Sequence, residues 1–306
     1  MNGSQLEVFQ GFYDNITATV GCNTAADSLA CLRTVPFDTL YNASVGFIFK
    51  PVLDGRFLSQ RPSQSLALGQ IARVPVLIGS NTDEGTATFI TPRNILNTDA
   101  DIANFVQTLG MHLDLDNSTI SKVMQLYPND PTVGCPFDSG PITFPSQGLQ
   151  LKRGAAIAGD FFIQAGRRFY ATWHAENTHM PIYTYRFNQR PWNNMEVDVA
   201  TVEPVESTHF TEIVYVWDNP DMNVNWIGPY STYHQLQKFV SRSWISFVHD
   251  ADPNHHGLEN QPLWPLYDPR QPRNMVFQVG ASYIEPDIYR EKQLAFWTTI
   301  LPELLT

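Results

Sequence analysis

Apolar residues recur along the chain in two alternating rhythms, and the alternation predicts an α/β fold. Val74-Pro75-Val76-Leu77-Ile78-Gly79 is a short, nearly continuous apolar run closed by glycine. That is the pattern of a strand covered on both faces in a parallel sheet, with Pro75 near its start, where a missing N–H does least harm. Ile182–Phe187, rich in aromatic and β-branched residues, predicts a second strand, and Asn274–Val279 a third, shorter one. Helical stripes lie between them: Ile102, Phe105, Val106 and Leu109; Ile120, Val123, Met124 and Tyr127; Phe161, Ala165, Phe169 and Trp173. Leu236, Phe239, Val240, Trp244, Phe247 and Val248 mark a longer helix of about four turns. The segment from Pro286 toward Leu301 predicts a last helix that opens on proline and turns Ile288, Leu294 and Trp297 inward.

Composition narrows the classes. With 306 residues the chain is long enough for one large domain or two ordinary ones, and a 43% hydrophobic content excludes disorder. No repeat, low-complexity tract or composition shift marks a boundary, so residues 1–306 are expected to form a single domain. The net charge of −11 argues against nucleic acid and anionic membranes as partners, and no apolar run is long enough to cross a bilayer. No cofactor or metal is expected, and oligomeric state is not legible. The first residues, Met1–Glu7, lack the basic and apolar regions of a leader peptide.

Cys22 and Cys31 flank a short polar segment, Asn23–Ala30, that a disulfide closes easily; two reduced thiols fit the spacing equally well. Cys135 is left over, either buried and inert or paired outside the chain. Acceptor tripeptides for N-glycosylation begin at Asn2, Asn15, Asn42 and Asn117, where roughly two would arise by chance; they lean toward secretion.

Chemistry concentrates in two places. Ser80-Asn81-Thr82-Asp83-Glu84-Gly85-Thr86 follows the first strand, and ligands and catalytic groups in open α/β sheets gather beyond the carboxyl ends of strands. A carboxylate there can orient a histidine; an acidic pair in a solvated loop is the plainer reading. His209, in Glu206-Ser207-Thr208-His209-Phe210-Thr211-Glu212, follows the second strand and a long connection, Asn188–Glu206, that includes Glu196, Asp198 and Glu203. His209-Phe-Thr-Glu212 has no second histidine at helical spacing, so it is not a metal pattern. His174 and His249 lie on predicted helices, and His255-His256 sits in a polar turn; none of these is expected to carry chemistry.

Four stretches, in order along the chain, resemble the type-B carboxylesterase/lipase family, which includes cholinesterases and fungal lipases. They are Gly21-Cys22…Cys31-Leu32-Arg33, Val74–Gly79 with Asp83-Glu84-Gly85-Thr86, Thr208-His209…Glu212–Trp217, and Asp252-Pro253-Asn254…Trp264–Asp268. The resemblance implies the C-terminal half of an α/β-hydrolase fold, a mostly parallel sheet flanked by helices. It implies Glu84 as the acid and His209 as the base of a Ser-Glu-His triad, a disulfide between Cys22 and Cys31, and a secreted protein acting on small-molecule or lipid esters.

Two departures stand out. The residue after the histidine is often small in that family, and Phe210 here implies a narrower pocket. No Gly-x-Ser-x-Gly occurs anywhere; Asn42-Ala43-Ser44-Val45-Gly46 lacks the first glycine. Triad order in this fold is serine, acid, histidine. The nucleophile, the oxyanion loop and any leader are therefore expected upstream of Met1, and the chain is expected to be a truncated or processed piece, inactive alone. The alternative is a cholinesterase-like adhesion or binding protein without catalysis.

Overall fold

A computed structural model describes residues 4–47, 51, 53–86, 95–109, 115–145, 147–192, 206–217 and 227–304. The chain separates into two compact units, one holding Met1–Ile71 and the other Ala72–Leu304.

The first unit is helical: α1 (Ser4–Thr19), α2 (Ser28–Leu32), α3 (Phe37–Ser44) and α4 (Pro62–Ala67). The Asp27 side chain accepts the Ala30 N–H at 2.8 Å and so starts α2, while Pro62 opens α4 where no backbone donor is needed. A disulfide joins Cys22 to Cys31, with their Cα atoms 5.6 Å apart, and so ties the end of α1 to α2. The Phe12 ring lies 4.8 Å from that of Phe47 and 5.6 Å from that of Phe9.

The second unit is built on a four-stranded sheet: β1 (Val76–Asn81), β2 (Ile182–Phe187), β3 (Arg273–Phe277) and β4 (Tyr283–Pro286), in the order β1-β2-β3-β4. The first three strands are parallel and β4 runs antiparallel to β3, so the sheet is mixed. Pro75 immediately precedes β1, where its missing donor breaks no ladder bond. Among the described residues no strand pairs with the free side of β1.

The helices are α5 (Asp99–Leu109), α6 (Asn117–Leu126), α7 (Leu151–Gly159), α8 (Ala165–Asn177), α9 (Ile213–Trp217), α10 (Ser231–Asp250) and α11 (Glu291–Leu304). A single π turn, Asp160–Gln164, links α7 to α8. The period of two along β2 divides the core. Tyr183, Tyr185 and Phe187 join Val214, Leu236, Phe239, Val240 and Trp264 on the α10 side. Ile182 packs with Ala171 of α8 on the other. A separate cluster forms around α5, α7 and α11, with Ile102, Val106, Leu151, Ile157, Leu294 and Trp297 fully buried. Gly79 is glycine because the Tyr185 ring lies across β1: a Cβ there would sit 2.1 Å from it.

The end of the chain differs from the expectation. Pro286 does not open a helix; it ends β4 opposite Arg273, and α11 begins at Glu291. The reason is Asp287, whose buried carboxylate accepts Arg167 at 2.6 Å and Arg168 at 2.7 Å and so fixes the chain before a helix can start. Strand β4 has too few apolar residues to show a period.

Digestion without reductant of protein made in a secretory host should yield a Cys22–Cys31 cross-linked peptide, and Cys22→Ser should destabilise the first unit by about 2–3 kcal/mol. Two free thiols in that digest would refute the bridge. Cys135, buried and with its thiol pushed up by desolvation, should alkylate only after unfolding.

Candidate active site

At the end of β1 the chain changes partners. Thr82 N–H donates to the Phe187 carbonyl at 2.9 Å, the last rung shared with β2. One residue on, Asp83 N–H donates to the Ser207 carbonyl at 2.9 Å, and Asp83 forms an isolated parallel bridge with Thr208. The segment carrying His209 is thereby laid alongside the segment carrying Glu84, although the two residues are 125 apart in sequence.

Glu84 is 4% exposed. Its Oε1 accepts the Asn81 N–H at 2.6 Å, and its Oε2 is hydrogen-bonded to Nδ1 of His209. That bond is the main cause raising the His209 pKa above its ordinary value, against the effect of burial. Asp83 turns elsewhere: its carboxylate accepts Phe137 N–H at 2.9 Å, Ser207 N–H at 3.1 Å and the Cys135 thiol at 3.5 Å. Full burial pushes the Asp83 carboxyl up to about 7, despite those donors. Glu206, the other carboxylate near the histidine, faces Arg190 at 3.5 Å. Gly85 lets the acid loop lie on α7, since a Cβ would come 1.9 Å from the Ala155 carbonyl oxygen.

The histidine sits in a tight turn. Thr211 N–H donates to the Thr208 carbonyl at 3.2 Å, with His209 and Phe210 as the central residues. Phe210 has φ +72°, the value that a type II turn demands at its third position and that normally selects glycine. A phenylalanine there costs about 1–2 kcal/mol in backbone strain. Three polar residues that sequence reasoning did not single out hold the turn. Asn81 Nδ2 donates to Thr208 O at 2.6 Å, Thr211 Oγ1 at 3.2 Å and Glu212 Oε2 at 2.5 Å, and Thr86 Oγ1 donates to Thr208 Oγ1 at 2.8 Å. Burial raises the Glu212 pKa. The sequence signal was present only as position: Asn81 and Thr86 flank the acid, and Glu212 follows the histidine.

His174 is buried on α8 with Nε2 3.1 Å from the Val74 carbonyl, and His249 and His255 lie at the surface beside Asp250. His256 is half-buried, its ring 5.2 Å from that of Phe239. Among the described residues no three His, Cys, Asp or Glu side chains gather as metal ligands. Asn15, Asn42 and Asn117 are exposed; Asn2, Glu196, Asp198 and Glu203 lie outside the described residues.

An acid after one parallel strand and a histidine after the next, meeting beyond the carboxyl edge of the sheet, define the class: an α/β-hydrolase. The fold is that of the crystal structure of Aspergillus niger EstA, with a TM-score of 0.70, 19% identity, and coverage of 96% of this chain and 55% of that one. The chain belongs to the carboxylesterase family, whose model matches residues 7–297. It is 30% identical over 281 residues to Lipase 4 of Diutina rugosa, covering 88% of this chain and 45% of that protein. It is 31% identical over 271 residues to Secreted lipase 1 of Botryotinia fuckeliana (strain B05.10), covering 84% and 43%. The chain thus spans about half the length of the relatives it matches. No helix among the described residues is long and apolar enough to cross a membrane.

Two predictions follow from this geometry. Gly85→Ala should destabilise the second unit by about 3 kcal/mol or more, because the clash is with helix backbone rather than a movable side chain; equal unfolding midpoints would refute the close approach. The titrations set opposite slopes. Asp83 and His209 bind protons more tightly folded than unfolded, so the stability they contribute falls as pH rises, from about 4 to about 7 for Asp83 and from about 6.5 upward for His209. Burial opposes ionisation of Asp287, but Arg167 and Arg168 overcome it and hold its pKa well below the usual range, so its contribution is lost as pH falls below about 4. Thermal midpoints should therefore peak in mild acid and decline toward pH 8. Asp83→Asn should flatten the decline, and an unchanged slope in that variant would refute the assignment.

Proposed function

We propose that this chain carries the acid and histidine of a Ser-Glu-His triad, and that the protein it belongs to hydrolyses carboxylic esters. The observation that supports this most directly is the hydrogen bond between Glu84 Oε2 and His209 Nδ1 beyond the carboxyl ends of β1 and β2. In the proposed reaction Glu84 keeps the Nδ1 proton in place and stabilises the imidazolium that forms. Nε2 takes the proton of the serine hydroxyl as its oxygen attacks the ester carbonyl, then returns that proton to the departing alcohol. Water, activated by the same nitrogen, releases the acid and regenerates the serine. Backbone donors of an oxyanion loop, expected on the same outside segment as the serine, steady the tetrahedral intermediates of both steps.

The nucleophile, in this reading, lies on a segment outside residues 1–306, since no Gly-x-Ser-x-Gly occurs within them. The two compact units then belong to one hydrolase domain completed by that segment, consistent with a family model that runs across both. The lipase names of the relatives favour lipid esters as the substrate class, and Phe210 favours a narrow pocket. Secretion is supported by the disulfide, by exposed acceptor asparagines at 15, 42 and 117, and by relatives that are themselves secreted lipases.

The 306-residue chain should release no product from short-chain aryl esters above the buffer rate. Joined to a preceding segment that contains Gly-x-Ser-x-Gly, it should turn over, and His209→Ala should lower kcat by about 10⁴-fold or more. Turnover by the chain alone that a serine-directed inhibitor abolishes would overturn the external nucleophile. Activity within tenfold of wild type in the longer His209→Ala protein would overturn the triad. A natural upstream segment in which the serine is replaced would favour the binding-protein alternative.

A further inference from the structure

Phe210 is 57% exposed within residues 1–306, so contacts inside this chain do not bury its ring and do not hold it in a left-handed conformation that phenylalanine avoids. Backbone demand alone would select glycine or asparagine at this place in the turn. What the conformation achieves is visible one residue back. The Phe210 ring meets the His209 ring edge-on, with centroids 4.2 Å apart and planes at 63°. The His209 side chain is 22% exposed, and its Nδ1 is tied to Glu84. A partly exposed imidazole can hop between rotamers in picoseconds to nanoseconds unless something occupies the space into which it would turn. Strain retained beside a reacting group, with a contact that depends on it, points from the outlier to a role.

We propose that Phe210 is a positioning residue for His209: its ring occupies the space into which the imidazole would rotate, and so keeps Nδ1 on Glu84. The inference rests on the triad reading above, in which the orientation of that ring has a chemical use. It also explains why the turn carries an aromatic residue where the backbone alone prefers none. Glu84 and Glu212 act on the imidazole electrostatically, whereas Phe210 meets it ring against ring. Removal of the Phe210 ring leaves that attraction intact and takes away the ring contact that opposes rotation.

The test uses the complete chain labelled with ¹⁵N-histidine. The His209 Nδ1–H resonance is assigned by its loss in His209→Gln, and its exchange with water is measured. Wild type should show the resonance with slow exchange. Phe210→Gly should raise the exchange rate at least tenfold while the thermal midpoint stays equal or rises, because glycine relieves the backbone. Phe210→Asn, which also tolerates the left-handed region and lacks the ring, should raise exchange likewise, and Phe210→Tyr should restore slow exchange. A structural role alone would move the midpoint and the exchange rate together, in the destabilising direction. Exchange within twofold of wild type in both ringless variants, or no rescue by tyrosine, overturns the role of Phe210 and leaves the Glu84–His209 pair standing. Absence of the resonance from the wild type overturns the pair itself, and both readings with it.

Discussion

The site depends on one exchange of ladder partners. Strand β1 leaves β2 at Phe187 and takes up Ser207 and Thr208, and that single step brings the acid beside the histidine. Backbone groups at such a crossing lose their sheet partners and must find others. The Asn81 N–H is satisfied by Glu84 itself, and the Asn81 carbonyl by Gln164 Nε2 at 2.7 Å. Gln164 belongs to the π turn between α7 and α8, and its Oε1 accepts Ser80 Oγ at 2.7 Å. The extra residue of a π turn re-aims side chains that a regular helix would point elsewhere. Here it lets one glutamine reach the end of β1. The Glu84–His209 pair is thus held through a helix irregularity by way of Gln164 and through the bridge from Asp83 to Thr208.

Two buried aspartates show how location decides charge. Asp287 is flanked by the guanidiniums of Arg167 and Arg168 and stays ionised. Asp83 is as deeply buried but is hydrogen-bonded only to dipoles, two backbone N–H groups and a thiol, and with burial foremost and the Glu206 charge adding to it, its pKa climbs to about 7. Dipoles offset part of the hydration that Asp83 loses, whereas the two guanidiniums beside Asp287 more than offset its burial. The same sheet thus carries one carboxylate that acid alone disturbs and one that titrates near neutrality. Cys135, held against Asp83, is kept as a thiol by the same dry surroundings.

The sequence carried what is local or periodic. Strand β1 shows as a nearly continuous apolar run, β2 as a stretch rich in aromatic and β-branched residues, and α5, α6 and α10 as stripes whose members include the core residues Ile102, Val123 and Phe239. Glu84 and His209 were legible because each follows a strand and because their flanking residues resemble a family pattern. The partners that fix them were not legible. Asn81 meets Thr208, and Asp83 meets Phe137 and Ser207, across 127, 54 and 124 positions, and no rhythm in a chain encodes pairings of that kind. Pro286 misled for a related reason. Its helix-opening signal is sound locally, but a distant pair of arginines acting on Asp287 overrides it.

The partner exchange at the end of β1 has a consequence for how the molecule assembles. Joining Glu84 to His209 closes a loop of 125 residues, and for a flexible chain the length-dependent entropy of such a closure is about 4 kcal/mol. No local contact can repay that in advance, so the intervening helices must already be packed before the histidine turn has anything to rest on. Strand β3, which covers β2 from the far side, is synthesised later still. On a ribosome the acid loop emerges long before its partner and waits as an unpaired carboxylate on an incomplete sheet. The Glu84–His209 contact is therefore expected late in folding, once the strands and helices between the two residues have packed.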